Sequence, residues 1–438
     1  MIPTKAKQIT RGNEGRILTN CNVWSPDGKW IVFDTRSDPA GSMFDGTRIQ
    51  RVSVETGSIE TLYQSSDGAC CGVATCHPSD GRVVFILGPR HPKPPFEYKA
   101  WNRQGVFVRP ESPGKMEFLE ATDLSPPFTP GALRGGTHVH VWSPDGLWVS
   151  FTYEDHILAN RTTLPGDQIN QRNVGVCVPV GHLEVPATHP RNHFGTHFAC
   201  LVTSTTANPK PGSDEIERAY EDAWIGEEGY IDAMGVHHPK ALAFLGDVRG
   251  LDGRRWAEVF VCDLSPFPWL RGEDPLEGSD AKRPAPPFGT SVWRLTRTGS
   301  LSQPGVQGPR HWPRSDRTGR WIAALLLDPQ SGLPQLHLID ILDGSITQVS
   351  FLPEGVGSCF TWNPAGDAIA CASGRQIVVL NPFERCIVAQ SEVFNRPPRP
   401  EAIVFSPCGT KIAFVLPTGT TEAEVRNQIW CLELLRSV

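Results

Sequence analysis

One stretch of eleven residues occurs twice in nearly the same form. Val23-Trp24-Ser25-Pro26-Asp27-Gly28-Lys29-Trp30-Ile31-Val32-Phe33 returns as Val141-Trp142-Ser143-Pro144-Asp145-Gly146-Leu147-Trp148-Val149-Ser150-Phe151. Weaker copies are His77-Pro78-Ser79-Asp80-Gly81, Asp316-Arg317-Thr318-Gly319, Asn363-Pro364-Ala365-Gly366 and Ser406-Pro407-Cys408-Gly409. Pro and Gly at these places supply the backbone geometry of a tight β-turn, and the β-branched and aromatic residues on either side read as strands. Recurrence at roughly 40–50 residues marks a propeller or a solenoid. A length of 438 residues would ordinarily suggest two or three domains, but a closed ring of repeats uses it as one, 1–438.

Each turn joins the first and second strands of a four-stranded antiparallel blade. The pattern places second strands at 30–34, 82–87 and 148–153, and third strands at 48–54, 105–109 and 173–178. Blade four, about 193–300, is irregular: 197–203 is expected as its first strand, followed by 241–246, 258–263 and 291–296. It carries two inserts, a short helix at 213–220 with Ser213 as N-cap and a Pro-rich loop at 266–287. Blades five, six and seven begin near His311, Ser358 and Glu401. The last blade has no fourth strand of its own, and Lys7-Gln8-Ile9-Thr10 has the character to supply it. The expected fold is therefore all-β, a seven-bladed β-propeller whose N-terminal strand closes the last blade and removes free sheet edges.

The Trp-Ser-Pro-Asp-Gly-x-Trp-Ile-x-Phe unit resembles the repeat of TolB-type propellers. Over its full length the chain resembles the bacterial YidR-like family of propellers. The segments Leu18-Thr19-Asn20-Cys21-Asn22-Val23-Trp24, Arg134-Gly135-Gly136-Thr137-His138-Val139-His140-Val141, Gly212-Ser213-Asp214-Glu215-Ile216-Glu217-Arg218-Ala219-Tyr220-Glu221 and Pro309-Arg310-His311-Trp312 carry that resemblance. It implies the fold and brings no settled activity with it.

Inner strands line a propeller's channel, so the residues leading into each turn are the first place to seek a site. Five residues before each turn stand Asn20, Gly72, His138, His311, Ser358 and Glu401. Three before stand Asn22, Ala74, His140, Pro313, Phe360 and Ile403. Side chains two apart on a strand share a face, so His138 and His140 are expected together. His311 joins them if its register is anchored on Gly319-Arg320-Trp321 and faces away if anchored on Trp312. His193 and His197 enter from blade four. A His-x-His pair with remote imidazoles is a workable shell for Mn, Fe, Ni or Zn, and equally a set of hydrogen-bonded water holders.

A more distant resemblance is to oligogalacturonate lyase, a propeller for which it implies manganese held by several His and a Gln. His138 and His140 match its His-x-His element, with Gly135 where the Gln would stand. The activity this resemblance implies is that of a lyase acting on an acidic, uronide oligosaccharide. His197 or His156 would remove the proton beside the carboxylate, and Arg134 and Arg310 would clamp the acid, unless both arginines form ordinary ion pairs. The rival reading is a non-catalytic scaffold for a protein partner or a ligand.

Other classes find no support. The formal charge of −6 argues against nucleic acid. No apolar run has membrane-spanning length and no signal-peptide core is present, so a cytoplasmic protein is expected. Gly135-Gly136 lacks the Lys-Ser/Thr of a phosphate loop, and no Gly-x-Ser-x-Gly elbow occurs. The cysteines show no zinc-ribbon or thioredoxin spacing, and Cys70-Cys71 is expected reduced.

Overall fold

A computed structural model describes residues 2–3, 5–161, 169–310 and 312–435, with side chains from residue 5 onward. Among the described residues the strands form seven antiparallel blade sheets and one separate two-stranded sheet. In blade one the order is Gly15–Ile17, Trp30–Arg36, Arg48–Ser53 and Ile59–Gln64. Blade two follows with Cys71–Cys76, Val83–Leu87, Gln104–Val108 and Met116–Phe118. The remaining sheets repeat that order, and apolar clusters fill the gaps between successive sheets.

The repeated turn works through its first side chain. Ser25 Oγ accepts from the Trp30 N–H at 3.0 Å and donates to Asp27, whose carboxylate takes the Lys29 N–H. Ser143 and Asp145 do the same before Trp148. Asp316, Asn363 and Ser406 substitute as acceptors in blades five to seven. In blade two, His77 Nδ1 accepts from the Asp80 N–H, and Nε2 lies 3.0 Å from the Gly146 carbonyl of the next turn. The glycine that ends each turn is left-handed, at φ 67° for Gly28 and 72° for Gly146.

Blade four differs from the sequence reading. Its innermost strand is Ala219–Trp224, paired to Ala241–Arg249. The stretch Gly195–Leu201 is instead the outermost strand of blade three, paired to Asn173–Leu183. Residues 213–218 are bends and irregular chain after a turn at 211–212, and no helix stands there. The inner strand was missed because its turn has no Ser-Pro-Asp-Gly: Ile225-Gly226 leads into a two-stranded extension, Tyr230–Ile231 against His237–His238. The loop at 264–290 packs back on the ring, burying Trp269 and Leu276.

The N-terminus closes the ring as expected. Lys7–Gln8 pairs with Arg426–Leu435 of blade seven. Beneath that seam lies a buried polar knot. Gln428 Oε1 accepts from Thr10 Oγ1 and Arg16 Nη1, both at 2.8 Å, and its Nε2 donates to the carbonyls of Gly12 and Glu14. Removing one buried partner leaves the others unsatisfied. Gln428→Ala is expected to cost about 2–4 kcal/mol and to lower the urea midpoint, whereas Lys29→Ala on an exposed turn should stay within about 0.5 kcal/mol of wild type.

Candidate functional site

The inner strands of blades two, three and four share an irregularity. Pairing shifts between Gly72 and Thr75, between His138 and Val141, and between Tyr220 and Ala223. In each, two residues oppose one buried phenylalanine: Phe85, Phe151 or Phe244. The first extra residue, Val73, Val139 or Glu221, takes a left-handed φ of 61°, 59° or 56°. For β-branched valine that backbone is strained. A bulge re-aims the side chains beyond it. His140 Nε2 stands 3.0 Å from Thr137 Oγ1, so those two share a side. His138 neighbours Thr137 in the regular part of the ladder and lies on the other side. The expected shared face of His138 and His140 does not exist, because the alternation is broken between them.

His140 is fully buried against blade two, with Nε2 3.6 Å from Glu120 Oε1. Glu120 also accepts the Gly105 N–H at 2.9 Å and the Thr137 hydroxyl. Glycine is needed at 105, since a Cβ would stand 2.4 Å from His140 Nε2. Burial pushes the Glu120 carboxyl up, but hydrogen bonding and charge from His140, with Thr137 and the Gly105 N–H, bring it down to about 2. His193 and His197 feel the same carboxylate from the outer edge of blade three. His197 Nδ1 lies 2.8 Å from Thr196 Oγ1, and burial takes its pKa to about 4. His193 stacks on Phe118 with centroids 3.7 Å apart and has Nε2 2.7 Å from Gln104 Nε2. Three of the five imidazoles thus gather around Glu120 between two blades. Sequence reasoning passed over this acid, although a carboxylate inside Phe118-Leu119-Glu120-Ala121 is itself a signal.

Among the described residues no three His, Cys, Asp or Glu side chains form a group that could hold a metal ion; His311 lies outside them. His138, on its own side of the strand, is not joined by His193 or His197, which belong to the far edge of the blade.

The other candidates have structural partners. Arg134 is buried: Nε donates to Asp155 at 2.8 Å, and the two terminal nitrogens donate to the carbonyls of Ser279 and Lys282. It ties blade three to the Pro-rich loop and has no guanidinium edge left for a substrate. Arg310, half-buried, lies over Trp312 at 5.8 Å. His156 begins a one-turn helix, stacks on Phe96 and has Nδ1 2.6 Å from Asn102 Oδ1; burial takes its pKa to about 4.

Among the described residues a different set of groups is left without partners. Both ring nitrogens of His138 are buried and unbonded, although the residue is only 5% exposed. The same holds for Arg103 Nε, Tyr98 Oη and Trp101 Nε1. These residues meet where the blade-two loop crosses the start of blade three's inner strand. The Thr137 N–H donates to the Arg103 carbonyl at 3.1 Å, and a Cβ on Gly136 would stand 2.1 Å from the Ala100 carbonyl oxygen. The Arg103 guanidinium lies 5.0 Å over the Tyr98 ring, which stacks on Phe44 at 4.8 Å. Arg36 caps Phe44 at 4.4 Å and pairs with Asp34, which accepts the Val73 N–H at 3.0 Å. Arg172 pairs with Glu154 at 2.7 Å. Among the described residues Arg103 has no carboxylate at ion-pair distance. Burial and then the charges of Arg172, Arg103 and His140 push the His138 pKa down, so its imidazole is neutral. The strand-entry end of the channel therefore holds a cation and several unused donors, a polarity that suits an anion.

The relatives agree with the fold. Residues 70–193 match a family model described as a protein of unknown function (DUF3748). The chain is 40% identical to the uncharacterised protein YidR of Escherichia coli (strain K12) over 413 residues, 93% of this chain and 94% of that one. It belongs to the YidR family. Solved structures extend the likeness at the level of fold. An oligogalacturonate lyase in complex with manganese superposes with a TM-score of 0.55 at 10% identity, over 99% of this chain and 96% of the other. A puromycin hydrolase gives 0.51 at 12% identity over 96% of this chain, which spans about half of that enzyme (51%).

Two outcomes test the roles assigned to the buried charges of this family member. Arg134→Ala leaves Asp155 buried and unpaired, with an expected loss of about 3–5 kcal/mol in urea unfolding. Glu120 has its pKa depressed on folding, so its stabilisation is complete above its usual 4.5 and is lost as pH falls from there through about 2. Glu120→Gln should flatten the acid limb of the stability profile over that range by ~3 kcal/mol.

Proposed function

We propose that this propeller binds a small acidic sugar at the strand-entry end of its channel, with Arg103 taking the carboxylate. One observation carries the reading: Arg103, which has no carboxylate at ion-pair distance among the described residues, lies over the Tyr98 ring and within charge range of His138, whose two ring nitrogens are unbonded. A charge-assisted bond to a carboxylate is the strongest contact such a pocket offers. The stacked rings of Phe44 and Tyr98 add the apolar surface on which a sugar ring can lie.

The same geometry favours elimination as the reaction class. A guanidinium on a uronide carboxylate stabilises the charge that builds when the neighbouring carbon loses its proton. His138 offers an unbonded ring nitrogen as the acceptor of that proton. The freed electron pair forms a double bond within the ring, the bond to the leaving sugar oxygen breaks, and that oxygen is protonated from solvent. The manganese of the structurally similar lyase has no matching ligand set among the described residues, so no step here runs through a metal. A binding protein without turnover is the second reading; the closed hydrogen bonding of His156, His193 and His197, all expected as site groups, favours it.

Trigalacturonate and the neutral maltotriose separate these ideas. Calorimetry should show trigalacturonate binding and maltotriose not, and Arg103→Gln should weaken the former about 10- to 100-fold. Growth of unsaturated-product absorbance, lost in His138→Ala, identifies the lyase; binding without it identifies the sensor. Equal binding of the two sugars, or an Arg103→Gln protein that binds as wild type does, overturns the assignment.

A further inference from the structure

The other end of the channel carries a second arrangement of quite different character. The seven turns surround a cavity of about 380 Å³ to which every blade contributes, within the range of small-ligand sites. Its wall is aromatic and prolyl, with Trp24, Trp142, Trp224, Trp362 and Phe405 among its residues. Three of the indoles have their N–H groups fixed on a neighbouring blade: Trp24 on the Val404 carbonyl, Trp224 on that of Val141 and Trp362 on that of Arg314, at 3.1, 3.0 and 2.9 Å. These rings are held as rigid walls. Trp142 is the exception, 2% exposed with its indole N–H unbonded.

Among the described residues one charged residue lines this space, Arg314 of blade five. It is 9% exposed, and its Nε is buried without a partner. Its Nη2 reaches Asn20 Oδ1 of blade one at 3.3 Å, a contact that crosses the axis, since blades one and five are not neighbours. Asp222 of blade four lies within its field, but among the described residues no carboxylate stands at ion-pair distance from it. Among the described residues this guanidinium has one long hydrogen bond, to a neutral amide, and the Trp312 ring at 5.9 Å, an incomplete coordination for a buried cation.

We infer that the turn-end cavity is a binding site for a small aryl carboxylate, with the carboxylate on Arg314 and the aromatic body between the tryptophans. The apolar wall excludes the polyhydroxylated ligand proposed for the opposite end, because buried hydroxyls would find few partners there. The bound acid completes Arg314.

Phenylacetate and its neutral isostere phenylacetamide are the probes, read by calorimetry and by the intrinsic fluorescence of the wall tryptophans. Wild-type protein should bind phenylacetate saturably and phenylacetamide at least about tenfold more weakly. Arg314→Lys should retain part of the affinity and Arg314→Gln should lose it, with near-ultraviolet circular dichroism and the melting curve confirming that each variant is folded. Saturating trigalacturonate should not compete, so failure at either end is read separately from the other. No saturation by phenylacetate up to about 10 mM, or equal affinity for acid and amide in the wild type, overturns the inference whatever the variants do.

Discussion

Everything in this molecule depends on the closing of a ring by residues far apart in sequence. Blade seven is completed by the strand Lys7–Gln8, and the seam is held by Gln428, Thr10 and Arg16 in a buried network with no free lone pair on the Gln428 carbonyl. Only with that closure do the inner strands face one axis. Arg314 can then reach Asn20 across nearly three hundred residues of chain, and the blade-two loop can lie over the start of blade three. Stability and site formation are in this sense one property, since each buried polar group near the axis is positioned by sheets that meet nowhere else.

Within the ring, the bulged inner strands of blades two to four decide what the histidines do. Ordinary alternation would have placed His138 and His140 side by side as a pair of ligands. The left-handed Val139 separates them, giving one to a buried acid and the other to a pocket of arginines. The two fates differ in energy as well as in place. Glu120, buried beside His140, accepts the Thr137 hydroxyl and the Gly105 N–H and so joins two blades, and stripping a buried carboxylate of its partners is costly. His138 keeps both nitrogens unused at the same depth, which a stable fold tolerates only where water or a ligand completes the bonding.

Much of the architecture was legible. The Ser-Pro-Asp-Gly turns mark the blades because the serine and aspartate are the hydrogen-bonding parts of the turn, and even His77 substitutes by offering a ring nitrogen. Ring closure could be read from the missing fourth strand of the last blade. Blade four could not be read that way, because its turn is replaced by Gly226 and a two-stranded extension; Trp224, which occupies the same place as Trp24, Trp142 and Trp362, is the signal that would have located its inner strand. The site was less legible for a specific reason. A bulge depends on how a strand pairs with its neighbour, and nothing in Thr137-His138-Val139-His140 announces a left-handed valine. The phenylalanine facing each bulge, Phe85, Phe151 and Phe244, is the recurring element in sequence. Arg103 belongs to no motif and gains its importance only from the loop that carries it across a blade boundary.

The central claim is that Arg103 and His138 form an anion site completed by a ligand. A crystal structure with trigalacturonate tests it most directly. The account predicts a carboxylate in hydrogen-bond contact with the Arg103 guanidinium and a sugar atom or bridging water at a ring nitrogen of His138. Ordered sugar elsewhere on the propeller, with Arg103 and His138 satisfied by protein atoms alone, would contradict it.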